Sequence, residues 1–192
     1  MAWVFFASAT SFGYHRMLLA QRDWMEHTCR VMSTLGSILQ RMTDAETGQR
    51  GYLFTSDKRY LAPYARAVEQ LGSLSLQLRQ LVRDSPVHLA RVDTLDRALK
   101  DKRDELGNTI VVQDQEETGA ARRMVLSNVG QERMDRIRLL IAQMRQTETE
   151  LLLLRSDRAK STERRMLTVT IVLAIFTICA RPSIYFVKAR PF

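Results

Sequence analysis

The stretch DAETGQRGYLFTSDKRYLAPY, residues 44–64, lies between two long helical patterns and decides how they are joined. Upstream, Met32, Leu35, Leu39, Met42, Glu46, Gln49 and Leu53 recur at alternating spacings of three and four, the period of a helix face packed in a bundle. Downstream, Leu61, Tyr64, Val68, Leu71, Leu74, Leu78 and Leu81 continue the same kind of seam. The quoted segment therefore ends one helix, expected over 15–54, turns, and opens a second over 58–82. Pro63 falls in the first turns of that second helix, where a missing N–H is tolerated best. Gly51 lowers helix propensity by about 1 kcal/mol against Ala, which points to close packing or a local bend. Gly51, Tyr52, Tyr60 and Tyr64 form a candidate distal tip, either an aromatic plug or a ligand-contacting surface.

Further along, Ser85-Pro86 is a helix start, a capping serine followed by proline at the first helical position. The third helix carries Leu89, Val92, Leu95, Leu99, Lys102, Leu106 and Ile110 and is expected to end near Glu117. Thr118-Gly119 interrupts the pattern, 120–128 reads as a short helical piece, and Val129-Gly130 reads as a turn. A last helix from Gln131 carries Met134, Ile137, Ile141, Met144, Leu151 and Leu154, with no breaker before Met166. No segment of useful length alternates with period two. Four helices joined by short turns pack as an up-down-up-down bundle. The expected fold is all-α: an elongated four-helix bundle continuous with flanking transmembrane helices.

The flanks carry the apolar residues. Residues 1–14 (MAWVFFASATSFGY) hold no charge, and neither does 166–180 (MLTVTIVLAIFTICA). Both are shorter than the roughly 20 residues that span a bilayer. Extending the second to Val187 supplies length but crosses Pro182 and Arg181, whose long side chain can snorkel to the interface. No cationic start of a signal peptide is visible. The expected organisation is a partial first transmembrane helix at 1–14, an extracytoplasmic domain at 15–165, a second transmembrane helix at 166–187 and a cytoplasmic stub at 188–192. Arg181, Lys188 and Arg190 then mark the cytoplasmic side.

All 21 acids and 26 of the 29 Lys and Arg lie between His15 and Arg165, leaving that middle at +5. The overall basicity raises nucleic acid as a partner, but arginines alternate with acids and no basic face interleaves with aromatics, which argues against it. Cys29 and Cys179 form no disulfide framework, and Cys29 is expected as a small core residue. His15, His27 and His88 are too scattered to ligate a metal, and His88 is expected on the surface. No phosphate-binding loop or hydrolase motif is present. The chain is expected to have no catalytic, metal or cofactor site and not to be an enzyme itself.

Glu46 and Gln49 occupy seam positions where Met or Leu normally sits. A carboxylate buried without a partner costs several kcal/mol. After the second helix returns the chain, Lys102 comes level with Glu46, and it too interrupts an apolar seam. A polar core layer of Glu46, Gln49 and Lys102 is expected, with Arg50, Asp135 or Arg138 as further members. Such a layer can fix helix register, or it can form a ligand niche.

An acid preceding Gly48-Gln49-Arg50-Gly51-Tyr52, then Tyr60-Leu61-x-Pro63-Tyr64, resembles the signature of the CHASE family of extracytoplasmic sensory domains, third subtype. Leu81-Val82-x-Asp84-x-Pro86, Lys102 through Leu106, and Gly130-x-x-x-Met134-Asp135-x-Ile137-Arg138 resemble later family elements in the same order, over about residues 15–165. One departure is Ser56, where the family usually shows Gly; a Ser at positive φ costs about 1 kcal/mol more. The resemblance implies a sensory, signal-transducing module of a bacterial transmembrane receptor in the inner membrane. It points first to a sensor histidine kinase, here lacking its output domain, so the parent receptor would be the enzyme. A diguanylate cyclase, a chemotaxis receptor or a non-sensing membrane-tethered bundle are the alternatives. Expected partners are a second copy in a homodimer, the lipid bilayer, and an unknown ligand or periplasmic protein.

Overall fold

A computed structural model describes residues 2–115 and 118–188, with side chains from Phe12 to Ile175 apart from Thr118 and Leu173. The element order is α1 (Ala2–Thr55), a 3-10 turn (Lys58–Tyr60), α2 (Leu61–Leu81), α3 (Pro86–Asp114), α4 (Thr118–Leu126) and α5 (Val129–Lys188). Among the described residues there is no strand. The chain divides into two compact units, Glu26–Glu150 and Met1–Met25 with Leu151–Phe192.

The Glu26–Glu150 unit is a four-helix bundle with one core. Leu35, Ile38 and Met42 of α1 meet Leu71 and Leu78 of α2, Leu95 and Leu106 of α3, and Met134, Ile137 and Ile141 of α5. Each fully buried side chain of this size stabilises by about 1.5–3 kcal/mol over an exposed one. Inter-helix bonds fix the directions. Ser75 and Arg79 of α2 reach Asp96 and Asp93 of α3, so those helices run antiparallel. Glu46 pairs with Lys102, and Tyr52 with Asp114, so α1 and α3 run parallel. Thr28 bonds Glu148 of α5, near the start of this unit's α1 segment and the end of its α5 segment. The topology is up-down-up-down.

The helix ends follow local chemistry. Ser85 caps α3 by accepting from His88 N at 3.4 Å, with Pro86 at the first helical position. α1 ends at Thr55 because Ser56 turns left-handed, φ 57. The expected Val129-Gly130 turn sits one step earlier: Asn128 takes φ 61, and α5 already begins at Val129. Asparagine tolerates this conformation better than most residues. α3 stops at Asp114 rather than near Glu117, which lies outside the described residues.

The core stripe of α1 differs from the expected seam. Val31, Leu35, Ile38, Met42, Ala45, Gln49 and Tyr52 are buried, while Glu46 sits at the edge with its side chain 12 % exposed. Apolar residues occupy both 31/32 and 38/39, so two registers share the same spacing, and only packing against the other helices selects one. Cys29, expected in the core, is exposed because the buried Thr28 and Val31 define the inward face.

In the other unit, Arg155 stacks its guanidinium 3.9 Å above the Trp24 ring. A Cβ on Gly13 would lie 3.8 Å from the Met166 methyl, an ordinary contact that brings α1 and α5 together there. Leu167, Val169, Ile171, Val172 and Ile175 are all exposed. Yet among the described residues no helix is long and apolar enough to cross a membrane. The spans expected at 1–14 and 166–187 are therefore not supported: the uncharged run after Arg165 is short and closes at Arg181. Side chains 1–11 and 176–188, and residues 189–192 of the expected stub, lie outside the described residues.

Candidate functional site

Lys102 is the largest charged group in the bundle core, 1 % exposed. It stands in the α3 seam between Leu99 and Leu106, where the helical period turns it inward. Its Nζ donates to Glu105 Oε2 at 2.8 Å, to the Gly130 carbonyl at 2.9 Å and to Glu46 Oε1 at 3.4 Å. Those acceptors come from α3, α5 and α1, so one ammonium ties three helices. Three acceptors match the three protons of an ammonium. Two carboxylates around one ammonium leave the cluster net negative, and Arg50 Nη2 offsets this by donating to the same Glu46 oxygen at 3.0 Å. Gly130 leaves room for the pair: a Cβ there would sit 3.1 Å from both Lys102 Nζ and Glu105 Oε1.

The structure thus brings Glu46, Lys102 and Arg50 together. Gln49 is buried beside them on α1 at 2 % exposure, and its Nε2 has no hydrogen-bond partner. Asp135 and Arg138 do not join; they pair with each other at 2.7 Å on the exposed face of α5. Glu105 and the Gly130 carbonyl are the members that the seam pattern missed. Glu105 lies one helical turn after Lys102 and could have been found from that spacing. Gly130 acts through its backbone, which no side-chain pattern reports.

The tip is built on close approach. A Cβ on Gly48 would meet the Tyr60 carbonyl oxygen at 2.8 Å, and one on Gly51 would meet the Tyr60 ring at 2.5 Å. The two glycines let the 3-10 turn lie against α1. Tyr52 is buried and donates its hydroxyl to Asp114, which also faces Lys58 Nζ at 3.6 Å. That hydrogen bond, then burial, then the Asp114 charge lift the Tyr52 phenol above its ordinary range. Tyr64 is half-buried, and burial likewise raises its phenol, with Arg103 opposing and Asp104 adding. Tyr60 is 46 % exposed, so the expected aromatic cluster is one buried, one partly buried and one open ring.

A second buried polar group lies towards the start of this unit. His88, expected at the surface, is 7 % exposed, and its Nδ1 lies 3.8 Å from Glu148 Oε1. Thr28 Oγ1 donates to the other Glu148 oxygen at 3.3 Å. Among the described residues no cluster of His, Cys, Asp or Glu could hold a metal ion.

Comparison with solved structures finds a Rhodopseudomonas palustris histidine kinase sensor domain of similar fold, TM-score 0.60 and 24% identity, covering 64% of this chain and 96% of that one. No match was found among curated proteins. Comparison with known families matches the CHASE3 domain over residues 21–158, a span that holds Glu46, Lys102, Glu105 and Gly130. That span is well over half of the 192 residues, and the chain belongs to the CHASE3 domain family.

Proposed function

We propose that this chain is the extracytoplasmic sensory module of a bacterial transmembrane receptor whose output is a histidine kinase. The family match over 21–158 carries the reading, since domains of this family are sensory parts of membrane receptors. The similar fold of a histidine kinase sensor domain favours the kinase over a cyclase or chemotaxis output. Membrane attachment follows here from the family, because no described helix is long and apolar enough to cross a bilayer.

The mechanism we infer is mechanical. α5 runs without a break from Gly130 at the polar layer to Lys188. A stimulus that changes how Lys102 divides its bonds among three helices changes the packing of α5, and the same helix carries the change onward. Such a shift requires a difference in interaction energy between two packings. A cluster of charges held by alternative partners can supply that difference.

The test is a fusion of the whole chain to a histidine kinase catalytic core, assayed for autophosphorylation beside the same fusion lacking residues 26–150. Several-fold different phosphorylation supports the sensory reading. Equal phosphorylation would leave a helical tether that senses nothing.

A further inference from the structure

A groove of ≈ 280 Å³ lies where the end of α1, the end of α3 and α4 meet. Leu53, Phe54 and Val125 line its apolar side, and Arg50, Arg122 and Gln113 its polar side. No described acid lines it. Phe54 is 92 % exposed at the last turn of α1. An apolar body seated in the groove would cover that ring, and two guanidinium groups offer forked donors that suit a carboxylate.

We propose that this groove binds a small organic anion, a carboxylate on an apolar body. The groove is wired to the core by one side chain. Arg50 lines it, and its Nη2 donates to Glu46 Oε1 at 3.0 Å, the oxygen that also faces Lys102 Nζ at 3.4 Å. A bound carboxylate competes with Glu46 for Arg50. Glu46 is then left to Lys102, and the division of the Lys102 bonds among α1, α3 and α5 changes. Binding at the tip is thereby converted into a change of charge pairing inside the bundle. Binding stands on the groove alone; the signalling step rests on the sensory reading above.

The experiment is isothermal titration of the full chain with benzoate and hexanoate, each beside its neutral amide. Saturable binding of an acid, with its amide at least about tenfold weaker, is expected, because charge-assisted bonds to Arg are the discriminating contacts. Arg122→Gln and Phe54→Ser should each weaken that acid by about tenfold. Leu76→Ser, on the exposed face of α2, should leave it unchanged. Circular dichroism confirms that each variant is folded, and none of the changed residues belongs to the charge cluster. No saturable binding of either acid, equal binding of acid and amide, or affinity indifferent to both groove variants overturns the proposal. So does a concentration-dependent dimer that buries Phe54 and excludes the acids. If binding is absent while phosphorylation of the fusion still depends on residues 26–150, the groove is rejected and the sensory reading stands. Binding with phosphorylation that ignores those residues keeps the groove and rejects the sensory reading.

Discussion

Lys102 Nζ reaches Glu46 Oε1 at 3.4 Å across the packed faces of α3 and α1. The pair joins residues 56 apart in sequence, on two helices that run parallel. Lys102→Met removes the cation paired with Glu105 and part of what serves Glu46. Removing one partner of a buried pair costs about 3–5 kcal/mol; the retained Arg50 contact should hold this loss to about 2–4 kcal/mol. Adding Glu46→Leu to Lys102→Met should cost less than the sum of the two singles by about 1–3 kcal/mol. Urea unfolding of the four proteins measures this. Strict additivity would mean the two side chains do not interact.

The glycines make an ordered set. Gly72 has nothing within 4 Å of an added Cβ, Gly51 would meet the Tyr60 ring at 2.5 Å, and Gly48 would meet the Tyr60 carbonyl oxygen at 2.8 Å. Alanine gains about 1 kcal/mol of helix propensity at any of the three. Gly72→Ala should therefore stabilise by up to about 1 kcal/mol. At Gly51 the ring must shift, and at Gly48 the backbone must, with overpacking costs of about 1–3 kcal/mol. Thermal midpoints should rank Gly72→Ala above Gly51→Ala above Gly48→Ala; Gly48→Ala at or above wild type would refute the close approach of turn and helix.

Ser56 carries φ 57 at the end of α1 and accepts from Gln113 Nε2 at 3.4 Å. Relief of the left-handed strain outweighs the chain entropy of glycine by a few tenths, so Ser56→Gly should stabilise by about 0.5 kcal/mol. Ser56→Val should destabilise by more than about 1 kcal/mol, because branching at Cβ is poorly tolerated there. Denaturant midpoints of the two variants decide it, and equal midpoints would mean the turn carries no strain.

Tyr52 ties stability to alkaline pH. Its phenol is raised above 10.0 by the hydrogen bond to Asp114, burial and the Asp114 charge. The folded state then holds this proton to higher pH than the unfolded chain does. Its contribution is whole below the unfolded value of about 10 and is lost as pH rises through the raised folded value. Wild type should lose stability between about pH 9 and about pH 11 more steeply than Tyr52→Phe, which has no phenol to titrate. Parallel declines by urea unfolding would contradict the assigned bond.

The polar layer was legible because charge at an apolar seam position is conspicuous. Glu46 and Lys102 break two otherwise greasy repeats, and counting helix levels sets them side by side. The same logic failed at His88, which in a first helical turn looks like solvent-facing decoration. Its partner Glu148 lies four residues beyond Met144, in step with the buried Met134, Ile137 and Ile141 of α5, and that spacing was the available signal. The α1 stripe differs from the expected seam by one residue at alternate positions, since Val31 and Met32, like Ile38 and Leu39, are equally apolar. Ala45 and Tyr52 were hidden for the complementary reason: a small residue and a phenol mark a core only once neighbouring helices are known to approach there.

The central claim is that the Lys102 layer governs what the bundle transmits. The direct measurement is autophosphorylation of the kinase fusion carrying Lys102→Met, beside Lys102→Arg and wild type, with folding checked by circular dichroism. Arg keeps the charge but not the compact geometry that three acceptors share. Both variants are expected to shift phosphorylation by about threefold or more, in the same direction; threefold corresponds to about 0.65 kcal/mol between packings. Folded variants that phosphorylate as wild type does would contradict the claim and leave the layer as a register lock alone.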